Sequence, residues 1–146
     1  MHLDTKFSRL LHVLIHMQLR GGSTTSETIA QMLHTNPALV RRTMAPLRRA
    51  GYIKSERGPG GGWTLCCKLS EVTAKDIYIA LDYKGLFALG LSNDHPDCPV
   101  ERSVNHLLSN AMQNAETEFI KTLENVHLST LADHIQTREN LTNAQK

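Results

Sequence analysis

Along most of the chain apolar residues recur every three or four positions between short polar or glycine-rich breaks, the pattern of packed amphipathic helices. From Thr5 to Arg20, Phe7, Leu10, Leu11, Leu14 and Ile15 keep helical spacing, and Gly21-Gly22 supplies the stop. A second, short helix is predicted with Ser26 as its cap and Ile29, Ala30, Met32 and Leu33 inward, followed by a tight connection at His34-Thr35-Asn36. Asn36 before Pro37 is a helix start, because Asn accepts from unpaired backbone N–H groups and Pro fits the first helical position. This third helix runs to Ala50, with Val40, Thr43, Met44 and Leu47 inward and Ala38, Arg41, Arg42, Ala45, Arg48 and Arg49 outward. Gly51 closes it, and Pro46 removes one of its hydrogen bonds, which predicts a kink or a loosened last turn.

The period then changes. Tyr52 to Ser55 reads as a strand, Gly58-Pro59-Gly60-Gly61-Gly62 as a turn and Trp63 to Cys66 as the returning strand, a hairpin with a basic tip. A helix is predicted from about Glu71 to Asp82, capped by Ser70, with Val72, Ile77, Ala80 and Leu81 inward, and Ser92 to Pro96 is a polar loop. Pro99 opens the longest helix, to about Val126, in which Val100, Val104, Leu107, Leu108, Ala111, Met112, Ala115, Phe119 and Leu123 form one stripe. A seam of about seven turns is more than the small head can cover, so it predicts packing against the same helix of a second subunit. A last short helix is expected over Leu128 to Ile135, with Gln136 to Lys146 a loose polar tail.

Composition narrows the class. The 146 residues, 40% hydrophobic and 21% charged, suit one folded domain or a domain with an appendage, and exclude a large multidomain enzyme. The net charge of +2 conceals an asymmetry: residues 1–65 carry nine basic and three acidic side chains (+6), residues 66–146 seven and eleven (−4). A basic head on an acidic body suggests a polyanionic partner for the head. Cys66, Cys67 and Cys98 are too few for a disulfide framework, and no signal-peptide apolar region follows Met1, so a cytoplasmic protein is expected. No apolar run approaches the roughly 20 residues that cross a bilayer, and no membrane partner is expected.

Two short helices, a capped third helix with an arginine-rich outer face and a basic hairpin, in that order, are the pattern of a winged helix-turn-helix. The expected fold is therefore mainly α with a small β-hairpin wing, a winged helix-turn-helix joined to a long dimerisation helix. Its divisions are a DNA-binding domain at 1–66, a connecting helix and loop at 67–97, the dimerisation and C-terminal helices at 98–135, and the tail at 136–146. In such a head the third helix enters the major groove, where an arginine donates two hydrogen bonds to the O6 and N7 of guanine. Asn36, Ala38, Leu39, Arg41 and Arg42 are the expected base contacts. Arg48, Arg49, Lys54 and Arg57 are expected to hold phosphates or the minor groove, with Gly58, Gly60 and Gly61 letting the hairpin tip lie against the sugar-phosphate backbone. The glycine run fits no nucleotide site: it lacks a Gly-Lys-Ser/Thr ending and leads into a strand, so no helix N-terminus awaits a pyrophosphate. No nucleophile elbow, paired Cys-x-x-Cys or phosphate loop is present, and no enzyme is expected.

The segments Arg48-Arg49-Ala50-Gly51, Arg57-Gly58-Pro59-Gly60-Gly61-Gly62-Trp63, Thr73-Ala74-Lys75-Asp76-Ile77 and Thr130-Leu131-Ala132-Asp133 resemble the Rrf-two family of bacterial winged helix-turn-helix transcriptional regulators. Asp97-Cys98-Pro99-Val100 is similar to its single-cysteine, YwnA-like subgroup. The resemblance spans nearly the whole chain and implies homodimers on a palindromic operator in double-stranded DNA, usually as repressors. It also implies departures. Iron-sulfur regulators of the family carry three cysteines before the long helix, and only Cys98 occupies the last of those positions here. Glu101 falls where some relatives have a ligand histidine, Ser8 where others have an N-terminal carboxylate, and Arg41 where close relatives have a base-reading glutamate. A rarer variant builds an iron-sulfur cluster from one cysteine and histidines of the head, and His12 and His34 stand near its positions, but its carboxylate is absent.

Cys98 has a chemistry of its own. Immediately before Pro99 it stands at the N-terminus of the long helix, where unpaired N–H groups and the macrodipole favour the thiolate, a setting for a redox sensor as well as for a simple small-residue cap. Of Cys66 and Cys67, one should point into the core. His12 and His16, one turn apart, have a spacing that suits zinc but lack the glutamate of a metalloprotease helix, and packing or surface roles account for them. The expectation is a DNA-binding regulator without a bound cofactor or metal. The alternatives are a regulator with a cluster on Cys98, His12 and His34, and an adaptor that uses the winged domain for protein contacts.

Overall fold

The computed structural model describes residues 3–144. Six helices, α1 (Lys6–Arg20), α2 (Ser26–Met32), α3 (Pro37–Arg49), α4 (Ala74–Ala80), α5 (Pro99–Glu124) and α6 (Leu128–Ala144), accompany one antiparallel pair, β1 (Ile53–Glu56) and β2 (Gly62–Leu65). The mainly α class with a hairpin wing is the fold observed. No helix among the described residues is long and apolar enough to cross a membrane.

The apolar spacing works as expected in the head. Leu10, Leu14 and Met17 of α1, Ile29 of α2, and Val40, Met44 and Leu47 of α3 are all nearly inaccessible and meet in one core, each contributing about 1.5–3 kcal/mol by leaving water. Asn36 caps α3 as predicted, its Oδ1 accepting from the Leu39 N–H at 3.0 Å, and the helix continues past Pro46 to Arg49. Two other caps differ from expectation. Thr25, not Ser26, caps α2, its hydroxyl accepting from the Thr28 N–H at 3.1 Å. Ser70 lies in a separate single turn, Leu69–Glu71, and the cap of α4 is Thr73. There Thr73 Oγ1 accepts from the Asp76 N–H at 3.3 Å and Asp76 Oδ2 accepts from the Thr73 N–H at 2.9 Å, a reciprocal capping box. Thr73-Ala74-Lys75-Asp76 carries the box with Asp in place of the usual Glu or Gln, which is why the spacing alone did not mark it.

The hairpin lies one residue away from its predicted strands, with Ile53 opposite Leu65 and Glu56 opposite Gly62. A third segment joins it: the Thr24 N–H donates to the Trp63 carbonyl at 2.9 Å and the Trp63 N–H to the Thr24 carbonyl at 2.7 Å. Leu69, Val72, Ala74 and Ile77 of the connection and Leu128 of the C-terminal part belong to the same core as the head. Two bonds fasten α6 there, Ala74 N–H to the Val126 carbonyl at 2.9 Å and Leu128 N–H to the Val72 carbonyl at 3.0 Å. The tail expected from Gln136 is helical to Ala144, because no glycine or proline follows Leu128 to stop α6. None of its residues from Asp133 on is buried.

The long helix α5 buries no residue within one chain. Its second half leans on the body through Phe119, whose ring meets Tyr78 edge to face with centroids 5.6 Å apart, and through Leu123. Its first half stands clear: Val100, Val104, Leu107 and Leu108 are exposed.

Candidate nucleic-acid interface

The cap at Asn36 fixes where α3 begins, and with it which side chains face outward. Ala38, Leu39, Arg41, Arg42, Arg48 and Arg49 are all exposed. Arg41 and Arg48 are two turns apart on one face, and both line a groove of about 690 Å³ between α3, the first turn of α2 and the hairpin. Arg57, Gly58 and Gly61 form its opposite wall. Arg42 and Arg49, also two turns apart, lie on the neighbouring face outside this groove. The arrangement sets guanidinium groups on both sides of a trough, a cradle for a phosphodiester chain.

Two expected contacts are qualified by their partners. Asn36 spends its Oδ1 on the α3 cap, which leaves the Nδ2 amide as the group available to a base. Lys54 pairs with Glu56 at 3.4 Å, both side chains more than half exposed, so the pair is weak and yields readily to a phosphate. The glycines are required by geometry: Gly58 and Gly60 hold φ of +90° and +75°, and a Cβ on Gly61 would stand 2.4 Å from the Glu56 carbonyl oxygen. Two carboxylates, Glu27 and Glu56, also border the groove. Glu27 and Ser26 were not picked out from the sequence, because they reach the groove only through contact with a hairpin some 37 positions away.

Cys98 is half-buried and occupies the N-cap position of α5, although its side chain makes no capping hydrogen bond. Its N–H donates to the His95 carbonyl at 2.9 Å, and with Asp94, His95, Pro96 and Asp97 it lines an open surface cavity. The loop is held by Glu101, which accepts from the His95 N–H at 3.1 Å and the Ser92 hydroxyl at 3.2 Å, and by Asn105 Nδ2, which donates to the Ser92 carbonyl at 2.8 Å. Glu101 is thus a clamp on the loop that carries Cys98. Cys66 is exposed, while Cys67 packs against the core with its Sγ 3.6 Å from the Tyr52 carbonyl, and burial pushes its thiol up from the ordinary value.

The histidines divide similarly. The His12 and His16 rings lie 4.7 Å apart, and desolvation, then the neighbouring His16, lower the pKa of His12. His34 sits in the α2–α3 connection with a φ of +51°. Among the described residues no three His, Cys, Asp or Glu side chains come together in a metal-holding group, so one chain does not bring His12, His34 and Cys98 to a common site.

The fold recurs in solved structures. A transcriptional regulator from Lactobacillus plantarum superposes with a TM-score of 0.76 over 98% of this chain and 97% of its own, at 19% identity. CymR, the global cysteine regulator of Bacillus subtilis, does so with a TM-score of 0.63 over 92% of this chain and 98% of its own, at 24% identity. In sequence, the Bacillus subtilis HTH-type transcriptional regulator YwnA is 25% identical over 134 residues, 91% of this chain and 98% of the relative. The model of the family described as Rrf2, iron-dependent transcriptional regulator, matches residues 3–134. A match over that span establishes that the chain belongs to the Rrf2 (Rrf-two) family of transcriptional regulators.

Proposed function

We propose that the protein is a sequence-specific DNA-binding repressor, that it acts as a homodimer on a palindromic operator, and that oxidation of Cys98 releases it. The observation that carries this reading is the double row of arginines on the exposed face of α3, with Arg57 of the wing facing one row across an open groove. A duplex carries its negative charge on two backbones that flank a groove, and arginines on adjacent faces of an exposed helix beside a basic wing suit such a partner. The second copy is called for by α5, whose first half presents Val104, Leu107 and Leu108 to solvent in a single chain. Two heads joined along α5 set two recognition helices against half-sites about 34 Å apart.

Cys98 lies where the loop before α5 meets that helix, so added bulk there changes how the loop and the helix start sit together. A peroxide transfers one oxygen to the sulfur of Cys98, giving a sulfenic acid, and leaves as hydroxide; one cellular thiol then condenses with it to a mixed disulfide, releasing water, and a second restores the cysteine and leaves as a disulfide with the first. Abolishing occupancy requires a loss of only about 3 kcal/mol, roughly a hundredfold in affinity. The test is a mass measurement on the complex with a duplex obtained by binding-site selection, before and after peroxide. Two chains per duplex, released by peroxide and restored by dithiothreitol in the wild type but retained in Cys98→Ser, are expected. One chain per duplex contradicts the dimer, and equal release of Cys98→Ser contradicts the thiol switch.

A further inference from the structure

The wing is tied to the rest of the head by contacts the DNA reading does not itself use. Trp63, the one tryptophan of the chain, is 3% exposed, and its indole Nε1–H donates to the Ser26 hydroxyl at 2.9 Å across the base of the groove. Beside it the Ser23 hydroxyl donates to the Gly61 carbonyl at 3.0 Å, and the paired backbone bonds between Thr24 and Trp63 close the same seam. The approach leaves no slack, for a Cβ on Gly62 would lie 2.7 Å from the Thr24 carbonyl oxygen. Thr24 therefore adds a single antiparallel bridge to a two-stranded hairpin that, alone, would be marginal. Both ends of the indole bond lie in the lining of the groove that holds Arg41, Arg48 and Arg57.

We infer that Trp63 and Ser26 are positioning residues for DNA recognition: their hydrogen bond sets the angle of the wing to α2, and through it the distance from Arg57 to the arginines of α3. The Thr24–Trp63 and Ser23–Gly61 bonds hold the hairpin along one line, about which it can still rock. The indole bond adds a fixed point on the side facing α2, so Arg57 meets the flanking minor groove already in place and the ordering cost is not taken from the binding energy. The inference rests on the DNA-binding reading and goes beyond it by assigning a role to two side chains that need touch no nucleotide.

The experiment compares hydroxyl-radical footprints and affinities on the selected duplex for wild type, Trp63→Phe, Ser26→Ala, Ser26→Thr and the double variant Trp63→Phe/Ser26→Ala. Trp63→Phe keeps an aromatic ring in the core but removes the donor together with part of the indole's volume, so the Ser26→Ala variant, which leaves the indole in place, is read beside it, and Ser26→Thr keeps the acceptor. Protection of the flanking minor groove should fade in Trp63→Phe and Ser26→Ala while the central major-groove protection stays. Affinity should fall by roughly two- to tenfold, the fold-change that corresponds to one net hydrogen bond. The double variant should lose no more than either single one, and Ser26→Thr should retain the wild-type footprint. Unchanged flanking protection in Trp63→Phe overturns the inference. A loss in Ser26→Ala that Trp63→Phe does not share also overturns it, because Ser26 then acts by touching DNA itself. Should Ser26→Ala fail to fold, Trp63→Phe with Ser26→Thr decides the matter by the same footprint. A wild-type protein that leaves no footprint on any duplex refutes the DNA reading instead, a result distinct from these.

Discussion

Arg41 and Arg48 share one face of α3 and Arg42 and Arg49 the next, so the helix carries two parallel rows whose members differ in how far they stand from its N-terminus. The N-terminal part of a recognition helix reaches base edges and its later turns run beside the backbone. Arg41→Ala or Arg42→Ala should therefore relax a guanine preference at one position of the operator, by about 1–3 kcal/mol of discrimination. Arg49→Ala should instead weaken all sequences alike and lower the slope of log affinity against log salt by about one. Binding-site selection with a salt titration separates the two effects, and equal losses on every sequence for all three variants would remove the base-reading assignment. The identity of these arginines was legible because helical spacing and the Asn36-Pro37 start fix which face they occupy. Which of them faces the wing was not, since it depends on how the hairpin folds back over α2, and residues such as Ser26 and Trp63 meet only in three dimensions.

At the scale of elements, periodicity located α1, α2, α3 and α5 to within a residue or two, and the turn glycines located the hairpin. The misplaced caps share one cause: where several Ser and Thr residues stand near a helix start, sequence alone does not say whose hydroxyl turns toward the free N–H groups. At α4 the choice fell on Thr73, with Asp76 reciprocating. Thr73→Ala should then destabilise the fold by about 1 kcal/mol in urea denaturation, a typical cost of losing a cap, whereas Ser70→Ala should leave the midpoint unchanged. The reverse ranking would contradict the capping box. The extension of α6 past Ile135 is a different case, because a polar run free of helix breakers reads equally well as a solvated helix or a tail.

In the whole molecule, the apolar stripe of α5 turns out to have two fates. Phe119 and Leu123 are satisfied inside the chain by Tyr78 and the core, whereas Val100, Val104, Leu107 and Leu108 remain exposed. Phe87, Leu89 and Leu91, in the loop before α5, add exposed apolar surface that had no periodic signal in the sequence. Leu108→Glu should accordingly halve the sedimentation mass and leave the thermal midpoint of the chain nearly intact, while Phe119→Glu should damage the fold itself. A dimer that survives Leu108→Glu would place the seam elsewhere. The basic head and acidic body also take their meaning at this scale, since six of the nine basic residues of the head belong to α3 and the wing.

The most direct test of the account is the salt dependence of binding to a selected operator and to a scrambled duplex of equal length. Steep log-log slopes on both duplexes, with the operator bound at least about a thousandfold more tightly at physiological salt, are what the arginine face and wing predict. Binding indifferent to salt, or equal affinity for the two duplexes, would contradict it.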